Sequence, residues 1–361
     1  MKVVELRNKV NEFLYKNIVR PVFFTQDPER MHNLFIRIGK ILGSNIITKR
    51  IVRYLYYYED KRLEQNILGM KFRNPVGLAA GFDKNAEMMS IMEDVGFGFV
   101  EVGSITAKGC GGNKGIRLKR LVREKSIWVN FGLNNKGADE IYGRIGNKRC
   151  GIPVGVSAAK TNCKETVDCE IGLKDYIYTL KKFRDFASFF VLNLSCPNAY
   201  GGEQFSNPKL YEKLMKEIVK LGLKKPVFVK LSPDLSKGNV DEILKISGKY
   251  RLTGFVISNL TKDHKFSKGG LSGKILENKA NKLLKYVYGK TKGNYVLIGV
   301  GGIFDAKDAY KKIKLGANFV ELISGMIFNG PHLIGKINYE LVDLMKKDGY
   351  TKIEEAVGKG V

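Results

Sequence analysis

Eight times between residues 75 and 324, a short apolar run is followed by a longer stretch in which polar and apolar residues mix. The runs cover 75–81, 99–104, 152–158, 189–195, 226–232, 254–260, 295–302 and 319–324, and each is rich in Val, Ile, Leu or Phe. A strand read this way, apolar without alternation, is a parallel strand buried on both faces. Between the runs lie amphipathic stretches of helical length at 86–95, 174–187, 208–221, 240–249, 275–288 and 306–315. Asp83 and Asp305 stand where helix N-caps belong, and Gly96, Gly222 and Gly316 where helices stop. Eight such units in series predict an α/β fold of the closed (β/α)₈ type, a TIM barrel, in preference to an open doubly wound sheet.

Residues 1–65 stand outside this rhythm and predict a small N-terminal helical extension to a barrel spanning 66–361. Helical periodicity runs through 3–19 and 30–41, with Pro21 and Pro28 expected to break the helix between them. Apolar residues (Leu14, Ile18, Val22, Phe23, Phe24, Leu34, Phe35, Ile38) alternate with Lys and Arg, and the segment closes on Tyr54-Leu55-Tyr56-Tyr57-Tyr58. Such a segment either caps the barrel or forms an amphipathic unit that also touches a membrane surface, and we favour the second. No apolar run reaches the roughly 18 residues of a membrane span, and the first residues lack a secretory signal. The net charge of +26 comes from lysines dispersed over presumed helix faces, which predicts a solvated surface inviting to anionic partners such as acidic lipids, and no nucleic-acid binding. The five cysteines lack CxxC spacing, so a reducing compartment is expected. His32, His264 and His332 are too scattered to hold a metal and read as surface or loop residues.

In a barrel of this kind the chemistry sits where strands end. The first run ends Ala79-Ala80-Gly81-Phe82-Asp83-Lys84, small residues that let a flat ligand approach the backbone. Lys84 then falls at a predicted helix start, where a cation opposes the dipole unless an anion binds there. The fourth run ends Asn193-Leu194-Ser195-Cys196-Pro197-Asn198, which sets one ionisable thiol among amide donors and acceptors. Lys230, inside the apolar fifth strand, needs a neighbouring anion or an electron-rich ring, and Lys160 ends the third strand the same way. Ser258-Asn259 gives the sixth strand a polar end. Gly299-Val300-Gly301-Gly302 and Ser324-Gly325 supply glycine turns in the last two loops, the usual barrel phosphate site. Phosphate beside a flat polar site suggests a mononucleotide, of which a flavin is the natural candidate.

These motifs, in this order, resemble the dihydroorotate dehydrogenases over essentially the whole chain. The resemblance rests on residues 74–85, 193–198, 230–235, 269–273, 298–303 and 324–331. Gln26-Asp27-Pro28-Glu29-Arg30-Met31-His32 and Asp348-Gly349-Tyr350 are similar to the membrane-associated, quinone-reducing branch. What the resemblance implies is oxidation of dihydroorotate to orotate in pyrimidine biosynthesis, with quinone as acceptor and the protein peripheral on the cytoplasmic side of a membrane. It further implies FMN contacts at Ala80, Gly81, Lys84, Ser104, Ser157, Asn193, Lys230, Ser258, Gly273, Gly302, Ser324 and Gly325. Substrate would be held by Lys84, Asn130, Asn134, Asn193, Asn198 and Asn259, with Cys196 as catalytic base. The chain departs from the pattern in four places. Cys196 stands where that branch usually has serine; Val129-Asn130 displaces the substrate asparagine by one position; Ser157 replaces asparagine; and Ile323 replaces tyrosine. The cysteine is typical of the soluble branch, so fumarate is the alternative acceptor. A tRNA-modifying flavin barrel and a phosphate-binding barrel without catalysis are the remaining alternatives.

Overall fold

The structure of the chain, a computed structural model, describes residues 2–194 and 198–361. Eight parallel strands, β1 (Val76–Leu78), β2 (Phe99–Ile105), β3 (Val154–Ala158), β4 (Phe189–Asn193), β5 (Val227–Leu231), β6 (Gly254–Ile257), β7 (Val296–Val300) and β8 (Phe319–Leu322), close on one another in chain order. The expected α/β barrel is therefore present, with helices between the strands.

The barrel's floor explains its odd mixture of bulky aromatics and strand glycines. Phe99, Phe189, Phe228 and Phe319 cluster at the N-terminal end of the strands. Phe72, from the hairpin Gln65–Ile67 and Met70–Phe72, plugs them from below, its ring centroid 4.3 Å from that of Phe319. Each buried ring contributes about 1.5–3 kcal/mol. Gly77 and Gly155 make room for them: a Cβ on either would stand 2.3 Å from the ring of Phe99 or Phe189. With the floor filled, the barrel interior is left open to a ligand at its C-terminal mouth.

Element boundaries follow local hydrogen bonding more closely than apolar periodicity. The helix expected at 174–187 runs Cys169–Lys182, because the Asp168 carboxylate accepts the Glu170 and Ile171 N–H groups and starts it earlier. Asp305 caps its helix as expected, and Gly96 and Gly316 adopt positive φ at their stops. The helix expected at 86–95 begins only at Met89; Asp83 accepts the N–H groups of Glu87 and Met88 in the turn ahead of it. Lys84 therefore sits in that turn, and the helix dipole does not oppose it.

At the N-terminus, Pro21 does not break the helix. Lys2–Leu14 passes through a π-helical turn, Tyr15–Val19, into Arg20–Phe24, and the widened turn accommodates a residue with no N–H. The break falls at Thr25–Asp27, where Asp27 accepts the Arg30 N–H and Pro28 opens the helix Pro28–Leu42. This helix and Ile46–Tyr56 pack beside the barrel mouth. Tyr15 Oη donates to the Ile327 carbonyl (2.7 Å), Lys336 pairs with Glu12 (2.5 Å), and Arg117 with Glu29. Tyr58 packs edge-on against Tyr339, so the tyrosine cluster is largely a packing seam, although Tyr54 is exposed. Among the elements not expected is an antiparallel sheet of Leu118–Leu121, Ser126–Val129 and Gly270–Gly273 that roofs the mouth.

Candidate active site

Small residues at the strand ends open two connected spaces over the barrel mouth. One, of about 70 Å³, lies between Ala79, Ala80, Ser258, Gly301, Gly302, Ser324 and Gly325. The other, of about 160 Å³, is lined by Ala80, Gly81, Lys84, Ser104, Phe131, Asn134, Asn193, Asn198 and Asn259. Lys230, Asn259, Ser272 and Ser324 border both.

The polar side chains are held by one another. Asn193 donates to Ser104 Oγ (2.8 Å) and accepts from Asn259 (3.1 Å), while Tyr176 Oη ties down the Asn193 carbonyl (2.8 Å). Ser157 backs Ser104, the hydroxyls 3.0 Å apart, and Ser272 meets Ser324 at 3.1 Å. Such cross-bracing fixes amides for a ligand without asking them to reorganise. The glycine turns leave no room for side chains: a Cβ at Gly302 (φ +78°) would be 2.4 Å from Glu277 Cβ, and one at Gly325 2.0 Å from the Ile303 carbonyl oxygen.

Lys84 supplies the cation. Its Nζ stands 3.0 Å from His32 Nε2 and 3.9 Å above the Phe131 ring. Burial pulls its pKa down to about 8, Arg117 adds to the fall, and Glu29 and Asp83 oppose it. His32 is held well below its ordinary range, first by burial and then by Lys84. It is therefore neutral, accepting at Nε2 with its proton on Nδ1.

Three of the residues singled out from sequence stand behind the wall and do not line it. Asn130 is 1% exposed and its Oδ1 accepts from Asn113 (2.9 Å), while Val129 faces the cavity. Ser157 reaches the site only through Ser104, and Gly273 ends a roof strand with Lys125 and Ser126 packed over it. Cys196 lies outside the described residues.

Other contributors escaped the sequence reading. His32 and His332, taken for surface or loop residues, both pack inward, His332 buried and His32 half-buried. For His32 a signal existed, since it shares the helical stripe 28, 31, 32, 35, 39, 42 that faces a further cavity. That cavity, of about 260 Å³, lies under the N-terminal helices, lined by Phe23, Phe24, Met31, Phe35, Tyr56 and Met88 with Arg120 as its charged member. It shares His32, Phe82, Leu118, Ile127 and Ile327 with the polar site.

The sequence profile of the dihydroorotate dehydrogenase family matches residues 62–345. This chain belongs to the dihydroorotate dehydrogenase family. It is 36% identical over 354 residues to the dihydroorotate dehydrogenase (quinone) of Haloarcula marismortui, covering 95% of this chain and 98% of that one. The corresponding protein of Gloeobacter violaceus is 33% identical over 353 residues, 96% and 98% of the two chains. A crystal structure of the Eimeria tenella enzyme in complex with ferulenol superposes with a TM-score of 0.82 at 30% identity, covering 92% of this chain and 95% of that one. As in its family, the cofactor is a flavin, and the wall fits one. Ala79, Ala80, Gly81, Gly301 and Gly302 offer a flat bed, and amide, hydroxyl and ammonium groups ring it.

Proposed function

We propose that this dihydroorotate dehydrogenase oxidises dihydroorotate to orotate on FMN and delivers the electrons to a quinone. The observation that carries this reading is the pairing of a polar cavity, holding Lys84 and four asparagines, with an apolar cavity that shares His32 and Phe82 with it. An anionic, amide-rich substrate suits the first, and a prenylated ring suits the second.

Lys84 faces the substrate carboxylate, and Asn134, Asn193, Asn198 and Asn259 hold its ring amides. The Cys196 thiolate removes the C5 proton; a thiol's ordinary pKa of about 8.5 makes it a far readier base than serine. FMN, when bound, supplies the two-electron acceptor for the hydride leaving C6. Lys230 would stabilise negative charge on the bound flavin, and the glycine turns at Gly302 and Ser324-Gly325 would hold its phosphate. The relatives named for quinone and the apolar cavity under the N-terminal helices support quinone over fumarate.

The same helices carry the proposed membrane contact. More than half of the exposed large apolar side chains among the described residues lie in residues 3–54, Val3, Leu6, Phe13, Ile41, Ile46 and Ile47 among them. No helix of the described residues is long and apolar enough to cross a membrane, so the reading is a face that rests on a cytoplasmic-side lipid surface. Anaerobic reduction with dihydroorotate, followed by separate additions of quinone, fumarate and NAD, tests the assignment. Reoxidation by quinone is expected, and reoxidation by fumarate but not quinone would overturn it.

A further inference from the structure

Between the aromatic floor and the mouth, the barrel interior carries an ionic layer. Glu101 comes from β2, Lys230 from β5 and Glu321 from β8, and both glutamates are fully buried. Strand β1 separates β8 from β2; its Gly77 is in register with Glu321 on one side and with Phe99, two residues before Glu101, on the other. Glu101 and Glu321 come within hydrogen-bonding reach. Lys230 Nζ lies 3.8 Å from Glu101 Oε2, and Lys230 also borders both site cavities.

All four carboxylate oxygens lack a hydrogen-bond donor among the described residues. Two ionised carboxylates beside one ammonium would leave an uncompensated charge in a desolvated interior, which proteins avoid. One proton between the carboxyls resolves both difficulties. It supplies the missing donor and leaves a single negative charge opposite Lys230. Burial and then the Glu101 charge push the Glu321 carboxyl well above the usual range, with Lys230 opposing; these are the charged groups facing it.

We propose that Glu101 and Glu321 hold one proton between them and act as a positioning pair that sets, through Lys230, how readily the flavin accepts electrons. A purely structural layer here would be better made of apolar side chains, as the floor beneath it is. The trio instead presents one charged group, Lys230, to the site and keeps its counter-charge out of sight. The field that a reduced, more negative flavin meets depends on how many negative charges the pair retains. This inference rests on the flavin reading above only in its second half.

The shared proton is tested without cofactor. At about pH 8, above the range of ordinary carboxyls, the infrared difference between wild type and Glu321→Gln should show the carbonyl stretch of a buried carboxylic acid, shifted in D2O. Absence of that band would overturn the proposal. Glu101→Gln carries the same infrared expectation should Glu321→Gln fail to fold. The second half is read from the midpoint potential of the bound flavin. Glu321→Gln, which mimics the protonated partner, should match wild type, whereas the double variant, which removes the negative charge beside Lys230, should shift the potential upward. A potential raised equally by the single and double variants, or by neither, would overturn it. Purified protein without flavin absorbance would fail the functional reading instead and leave the infrared result standing.

Discussion

Lys84 is half-buried in the cavity wall, and the loss of water brings its titration down to about 8 from an ordinary 10.5. Below that pH it is an ammonium ready for a carboxylate; above it, the charge goes. The KM for dihydroorotate is therefore expected to rise as pH passes about 8. Lys84→Met should raise KM at neutral pH by roughly tenfold or more, as loss of a charge-assisted hydrogen bond predicts, and flatten the profile. The sign for stability is opposite to that for binding. The unfolded chain holds the proton more tightly than the folded one, so the ligand-free protein should gain stability between about pH 8 and 10.5. Thermal melts across that window check it. At the base, Cys196→Ala should lower flavin reduction by dihydroorotate by roughly 10²–10⁴-fold while flavin stays bound. Stopped-flow reduction that matches wild type would remove Cys196 from the mechanism. Asn130 shows the limit of reading single residues. Its amide type suits a substrate, but a strand turns successive side chains to opposite faces, and in the Ser126–Val129 roof strand the inward place falls to Val129.

Among the elements, the turns after β7 and β8 tolerate little change. Gly302→Ala forces a Cβ at φ +78° to within 2.4 Å of Glu277 Cβ, a cost of about 1–3 kcal/mol. A lower melting temperature and reduced flavin content in the purified protein are the expected outcome. The first helix depends on a different contact. Glu12 lies between Lys16 and Lys336, each at 2.5 Å, and these cations outweigh its partial burial to bring it down to about 2. Its folded value is below the ordinary 4.5, so its contribution is present above that pH and lost as pH falls toward 2. Glu12→Gln should cost about 1 kcal/mol and speed hydrogen exchange in residues 2–24 while the barrel strands remain protected. These elements were legible to unequal degrees. Barrel strands buried on both faces leave a continuous apolar run, repeated eight times, whereas the roof sheet, built from short strands far apart in the chain, leaves almost no signal.

At the scale of the molecule, the barrel carries the chemistry and the N-terminal helices carry the apolar cavity and the exposed apolar face. The two roles should separate experimentally. Phe13→Glu combined with Ile47→Glu, both on exposed positions, should abolish flotation with vesicles containing acidic lipid. Anaerobic flavin reduction by dihydroorotate should be unaffected; retained flotation would argue against a lipid-facing helix pair. The sequence by itself determined the barrel, its strand order, the glycine turns and the cluster of strand-end amides and lysines, because apolar runs and obligatory glycines are local properties written in consecutive residues. Only the tertiary structure decided that His32 sits against Lys84, that Asn130 turns away, and that Lys230 belongs to a trio with Glu101 and Glu321. Each of these depends on which side chains meet across strands or helices far apart in sequence, and on the water excluded when they do. Lys230, which from sequence needed an anion or an electron-rich ring, has an anion in Glu101; that the partner comes with a second carboxylate could be read only from the closed barrel.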